Sequence, residues 1–300
     1  HSVLSRVTGG KMNVSDFYQP AESVTDTALE WVDGSGRPRN APFFLFLHYM
    51  DPHDPFMDWA NPGVGYARVQ LGDPEPEPYR EKMIDAYRQE IEYLDEHLGR
   101  LIAGLKERKL YDDTLVVLTS DHGEEFFEHR NWWHGRTLYD EVIHVPLIVK
   151  LPKGKANTSM RAGLARHVDI APTILSIAGL EAPEGMQGKS LIGGEQVTSS
   201  YAEVDFEGND LQSVRTDTHK LVRANKDNPR GLAAVELYDL TVDPGEQQNL
   251  AGTGEAIEGL LQKAVDDMQQ FVEANAAEPI VSTTIDQSDI EQLEALGYLE

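Results

Sequence analysis

Between Tyr79 and Leu110 the apolar residues Met83, Tyr87, Ile91, Leu94, Leu98, Ile102 and Leu105 recur every three or four positions. A 3.6-residue period lines them up on one stripe, which predicts a long amphipathic helix with one face against a core. Short apolar runs flank it, Phe43–Leu47 (FFLFL) before and Thr114–Thr119 (TLVVLT) after. Unbroken runs of this length are the pattern of strands covered on both faces. Strand, long helix and strand in that order make a βαβ unit. The predicted fold class is therefore α/β, with a mostly parallel central sheet flanked by helices. Val145–Val149 reads as a third strand, and Asp169 as the cap of a helix running through Ile174, Leu175 and Ile177 to a stop at Gly179.

The remaining segments are shorter or more polar. The first forty residues read as a polar linker, a short helix over Ser23–Val32 and a DGSG turn from Asp33, and the proline-rich stretch from Pro62 to Pro78 as a surface loop. After about Ser190 the texture changes. Tyr201–Val204, Gln212–Ala224 and Val235–Asp239 alternate moderately between apolar and polar, without crossover helices between them. They are predicted to form a small antiparallel sheet, followed by a helix from Glu255 to about Val272 and a tail ending LEALGYL. The expected organisation is a main α/β domain over residues 1–195 and a smaller α+β subdomain over 196–300.

Charge and composition narrow the partners. Fifty-one acidic against 26 basic residues give a net charge of -25, which repels nucleic acid and anionic membrane outside a locally positive pocket. No nucleic-acid partner is expected, and no run approaches the roughly 20 apolar residues of a membrane span. Cysteine is absent, so these residues hold no disulfide, thiolate metal site or cysteine nucleophile. Oligomeric state and compartment (periplasmic, secreted or cytoplasmic) are left open.

In an open parallel sheet, ligands bind beyond the carboxyl ends of the strands. Both apolar runs end in reactive side chains there. The first leads into His48, Asp51, His53 and Asp54, the second into Ser120, Asp121, His122, Gly123, Glu124 and Glu125. Aspartate and neutral imidazole together suit a divalent cation. Downstream, His129, Trp132, Trp133, His134 and Arg136 border the same predicted cleft, where an imidazolium or guanidinium could bind an anion. Each has a structural reading beside the functional one. Asp121 could cap a helix, and His122 and His53 could be turn residues. His48 and Asp51 could serve structural hydrogen bonds, Arg136 could pair with Asp140, and Glu124 and Glu125 could form a solvated face.

The ordered segments FLHYMDPHDPF, YRQEIEYLDEHLGRLIAGL, DDTLVVLTSDHGEEFFEH, HGRTLYDEVIHVPLIV, HVDIAPTILSIAG and LYDLTVDPGEQQNLA resemble the sulfatase family of the alkaline phosphatase superfamily over nearly the whole chain. The resemblance implies an alkaline phosphatase-like fold and a metal-dependent sulfuric ester hydrolase acting on a small-molecule or sugar sulfate ester. By the same resemblance Asp121 and His122 would be metal ligands and His53 and His134 catalytic, while the reading of the residues themselves adds His48, Asp51 and Arg136 as candidate substrate contacts. One divalent metal ion is implied, Ca2+ ahead of Mg2+, Mn2+ or Zn2+. His134 stands where many sulfatases carry lysine. The family's formylglycine signature, C-x-P-x-R or S-x-P-x-R, does not occur in these residues. The expectation is accordingly a C-terminal part whose nucleophile lies in a missing N-terminal portion, inactive by itself. Two alternatives accompany it: a phosphomonoester, phosphodiester or phosphonate hydrolase of the same superfamily, and a binding protein that has lost catalysis.

Overall fold

The computed structural model describes residues 19–34, 41–54, 56–57, 65–66, 76–154, 163–193 and 196–275. The N-terminal linker, residues 62–64 and 67–75 of the Pro62–Pro78 loop, half of the DGSG turn and the LEALGYL tail lie outside the described residues, while Gly65–Tyr66 is a strand and Pro76–Pro78 begins a helix instead of closing the loop. The chain divides into two compact units, one built on His1–Asp112 and the other on Asp113–Ala277.

In the first unit, helix α1 (Ala21–Asp33) packs on the long helix α2 (Pro76–Glu107) through Ala28, Leu101 and Leu105. Gly104 sets the close approach, since a Cβ there would lie 2.6 Å from Leu29 Cδ2. The Arg100–Asp26 pair at 2.6 Å and the Thr25 hydroxyl on the His97 carbonyl fix the register. The buried seam of α2 runs through Met83, Ala86, Glu90, His97, Leu101 and Leu105, so it is rotated from the predicted stripe and leaves Ile91 43% exposed. Hydrophobicity alone marked the apolar side of α2, whereas the partner helix selected the neighbouring side that accommodates Thr25 and Asp26. A two-residue antiparallel ladder, β1 (Phe56–Met57) with β2 (Gly65–Tyr66), completes the described part of this unit.

In the second unit, β3 (Val116–Thr119) pairs with β6 (Leu147–Lys150), and between them lie a short hairpin, β4 (Glu125–Phe126) with β5 (Trp132–Trp133), and the one-turn helix α3 (Asp140–Ile143). Helix α4 (Ile170–Ala178) ends at Gly179, whose φ of 74° is the left-handed conformation that glycine adopts without steric cost. Asp169 does not cap α4 with its side chain. It is fully buried, accepts from the Arg166 and Lys189 amides, and is forked by the Arg166 guanidinium. Strands β7 (Ser200–Phe206), β8 (Asn209–Arg215), β9 (His219–Ala224) and β10 (Val235–Asp239) form an antiparallel sheet in sequential order, and α5 (Ala256–Ala274) covers one face. Side chains alternate across a strand, so Val214, Leu221 and Leu237 point together at Leu261 and Val265 of α5.

Every sheet among the described residues is antiparallel, which overturns the predicted mostly parallel central sheet while leaving an α/β arrangement of helices and sheets. Two observations explain the difference. Phe43–Leu47 belongs to no ladder among the described residues, and Phe44 and Phe46 are 70% and 80% exposed. The connection from β3 to β6 carries a hairpin and a single helical turn where a parallel crossover would need a longer helix. An unbroken apolar run signals burial and carries no information about strand direction.

Leu237 is fully buried between the sheet and α5. Leu237→Ala is expected to lower unfolding stability by about 3 kcal/mol in urea titrations, the range for a large-to-small core change that cannot collapse. A midpoint equal to the parent's would show that this cluster is not the core of the unit.

Candidate functional site

The site of the second unit begins where β3 ends. The Ser120 hydroxyl donates to the His122 carbonyl at 2.5 Å, and the His122 amide donates to Asp121 Oδ1 at 3.0 Å, so the loop is a tight side-chain-closed turn. His122 Nδ1 lies 2.8 Å from the Gly123 carbonyl, which can only accept. In the neutral ring this places the proton on Nδ1 and the lone pair on Nε2, the nitrogen 3.8 Å from Asp121 Oδ2. Carboxylate and imidazole are thus oriented as two ligands of one cation could be, and this donor set fits a divalent ion.

Gly123 is dictated by space. Its amide donates to the Val142 carbonyl at 2.7 Å and the Glu124 amide to the Glu141 carbonyl at 3.0 Å, and a Cβ on Gly123 would sit 2.2 Å from Glu141 O. Backbone meets backbone here, and only glycine permits it.

The β4–β5 hairpin brings His134 back over the loop. Its ring stacks on His122 with centroids 3.8 Å apart, and its Nδ1 is 3.2 Å from both carboxylate oxygens of Glu124. Three non-glycine residues of this hairpin have positive φ: Phe127 at 73°, Arg130 at 65° and Trp133 at 75°. Such residues cost on the order of 1 kcal/mol or more each, so surrounding structure must hold them. Trp132 and Trp133, both 5% exposed, supply that hold by burial and are core residues rather than an open wall.

A second cluster lies behind the loop. Glu125, His129 and Glu141 offer ligand atoms that all lie within 4.8 Å of one another, a candidate metal-binding cluster. His129 Nδ1 faces Glu141 Oε1 at 2.6 Å and Nε2 faces the Glu246 carbonyl at 3.0 Å, while its ring stacks on Tyr139 at 3.6 Å. Arg230 donates to Glu125 Oε1 at 2.6 Å and to the His129 carbonyl at 2.9 Å. Burial by itself would lower the His129 pKa, but the Glu141 and Glu246 acceptors outweigh it and raise the value. Burial also raises Glu125, with Arg230 opposing.

The other sequence-predicted residues fall into two groups. In the first unit, His53 closes a turn through its amide on the Met50 carbonyl, and its Nδ1 is 2.8 Å from the Asp54 carbonyl. Asp51 is buried and accepts the Ala21 amide at 2.9 Å at the start of α1; burial pushes its carboxyl up, and this hydrogen bond opposes the rise. His48 is exposed and lines a small apolar groove with Trp31, Leu45 and Phe46. In the second unit Arg136 pairs with Glu207 on the β7–β8 turn rather than with Asp140. Glu124 and Glu125 are 7% and 1% exposed, so the acidic run is not a solvated face. Sequence reasoning missed Glu141, Arg230 and His167, the last of which meets the Ser120 carbonyl through Nε2 at 2.8 Å. No local pattern marks Arg230, which lies 105 positions from Glu125.

Residues 6–180 match the family described as Sulfatase, and residues 127–273 match the one described as N-sulphoglucosamine sulphohydrolase, C-terminal. An N-acetylglucosamine-6-O-sulfatase of Bacteroides thetaiotaomicron is 32% identical over 191 residues, 59% of this chain and 33% of that protein. The multifunctional alkaline phosphatase superfamily protein PehA of Trinickia caryophylli is 28% identical over 286 residues, 76% of this chain and 54% of that one. The structure of BT4656 with its substrate D-glucosamine-2-N,6-O-disulfate superposes with a TM-score of 0.65 at 20% identity, over 86% of this chain and 71% of that one, a likeness of fold. The chain spans between a third and about half of the length of these curated relatives. The Sulfatase match begins at residue 6 and takes in the part of the domain where the nucleophile normally lies, so the expectation of a C-terminal part lacking that region does not stand. With more than half of its residues matched, the chain belongs to the sulfatase family of the alkaline phosphatase superfamily, a family of metal-binding hydrolases.

Proposed function

We propose that this chain forms the cation loop and part of the anion-binding surface of an enzyme that hydrolyses sulfate esters of sugars. The observation that carries the proposal is the His122 ring. Its Nδ1 faces a carbonyl, its Nε2 faces Asp121, and its flat side is covered by His134. A divalent cation held by Asp121 and His122 would neutralise charge on the nonbridging oxygens of the transferred group. Ca2+ suits the hard carboxylate oxygen, while Mg2+, Mn2+ or Zn2+ would satisfy the same pair. Glu124 keeps the His134 ring oriented against the loop, a geometry suited to donating a hydrogen bond to a bound sulfate. His53, in the first unit, is oriented by the Asp54 carbonyl and is proposed as a proton donor in the reaction. Names of relatives support the sugar class: N-acetylglucosamine-6-O-sulfatase and the N-sulphoglucosamine sulphohydrolase C-terminal family both concern sulfated glucosamine.

Asp121→Asn is expected to weaken Ca2+ binding at least about tenfold in calorimetric titration, and to depress hydrolysis of a sulfated glucosamine by a larger factor. Assay of the same protein on aryl phosphate and a phosphodiester tests the reaction class. Turnover of either phosphate ester faster than of the sulfate ester would replace the sulfatase reading.

The Glu125–His129–Glu141 cluster has its own pH signature. A histidine whose folded pKa is raised contributes stability that is fully present below the unfolded value of about 6.5 and is lost as pH rises through the folded value. Urea midpoints should therefore fall for this reason as pH rises above about 6.5, and His129→Gln should flatten that part of the curve. A cation entering the cluster must displace the Nδ1 proton, so cation affinity there should rise over the same interval. Parallel stability curves for parent and variant would remove His129 as the titrating group.

A further inference from the structure

We propose that the face of the β7–β10 sheet turned away from α5 is a positioning device for the cation loop, with Lys220, Arg215 and Glu246 acting through Asp140. The inference rests on the cation-loop reading above and extends it to residues that touch neither cation nor substrate.

The register supplies the first argument. Arg215 and Lys220 are direct cross-strand partners of β8 and β9, so two cations stand side by side on one face of the sheet. Like charges directly opposite destabilise a ladder unless something neutralises them. Asp140 does so, accepting from Lys220 Nζ at 2.9 Å and from Arg215 Nη2 at 3.1 Å, and Glu246 completes the set with Lys220 at 2.8 Å. Lys220 is fully buried and Glu246 is 1% exposed, which makes each charge costly unless all partners are in place. Burial by itself would raise the Asp140 pKa, yet Lys220 and Arg215 hold it below the usual carboxylate value.

The same network grips the segment that begins α3. The Asp140 amide donates to Glu246 Oε2 at 2.6 Å, and on the same sheet face Glu236 accepts the Tyr139 hydroxyl at 2.9 Å. Residues 139 and 140 are thereby tied at backbone and side chain. The next two residues, Glu141 and Val142, supply the carbonyls that receive the Glu124 and Gly123 amides. Because Gly123 meets Glu141 at backbone contact, a shift of residues 139–142 must move the Asp121–Gly123 turn. One face of the sheet thus packs on α5, and the other carries, beside the buried Leu211 and Ala224, the ionic network that fixes the loop.

Lys220→Met would strand the buried Glu246 carboxylate and take a cation from Asp140, and could unfold the unit, so the test uses Arg215, which is 20% exposed at its side chain, in the full chain. Amide hydrogen exchange is compared for the parent, Arg215→Met and Arg215→Lys, with Ca2+ titration of the same samples. For Arg215→Met, exchange at the Gly123 and Glu124 amides should quicken about tenfold or more while amides of β7–β10 keep their protection. Arg215→Lys should restore most of the difference, and Ca2+ binding should weaken in step with the loop amides. Unchanged Gly123 and Glu124 protection, or a loss shared equally with the sheet, would overturn the proposal. A parent protein that binds no Ca2+, Mg2+, Mn2+ or Zn2+ would instead overturn the cation-loop reading, visibly separate from the exchange result.

Discussion

The pairing of Asp140 with Lys220 and Arg215 is the constraint on which the second unit turns. Asp140 begins the one-turn helix α3, and a helix so short has little stability from its own hydrogen bonds. It persists because the largely buried Asp140 carboxylate, 14% exposed, anchors it to two cations on a sheet. Buried ion pairs seldom stabilise a protein more than apolar packing would. Their advantage is directional: a carboxylate forked by two fixed donors has one acceptable position, whereas a leucine has several. The loop that receives the Glu141 and Val142 carbonyls inherits that precision.

The hairpin above the loop follows a different rule. Phe127, Arg130 and Trp133 all adopt positive φ, and burial of Trp132 and Trp133 offsets that strain. The result reverses the chain within a few residues and stacks His134 on His122. Regular strands joined by an ordinary turn would not bring these rings face to face. Strain and aromatic burial are therefore two parts of one arrangement, and the Glu124 carboxylate, buried beside it, keeps the upper ring oriented.

The net charge of -25 bears on how such a surface could meet a sulfated sugar. A field of that sign opposes the approach of an anion, so attraction must be local. Arg136, the nearest guanidinium in sequence to His134, is paired with Glu207, and Arg230 is paired with Glu125. In the proposed reading the compensating charge falls chiefly to the cation at Asp121 and His122. This is consistent with a family that binds metal and with a chain whose arginines here serve structure.

How far the sequence could be read follows from the reach of each signal. Helical periodicity is local, so α2 was legible as a helix, expected over residues 79–110 and found over 76–107, as was the apolar character of Val116–Thr119 and Leu147–Lys150. The residues of the DHG turn were legible as chemistry because a carboxylate, an imidazole and a glycine occupy consecutive positions. Strand direction was not, because it depends on what the connection does in space, and the expected parallel sheet proved antiparallel. The role of Asp51 at the start of α1, the Arg136–Glu207 pair and the burial of Glu124 and Glu125 were equally hidden. Each depends on a partner brought near only by folding, such as Arg230 beside Glu125 or Lys220 beside Asp140. The sequence by itself determined the helix, the apolar runs and the reactive residue types. Tertiary structure alone decided which face of α2 is buried, which way the strands run and which carboxylates are neutralised, because those choices belong to contacts between segments far apart in the chain.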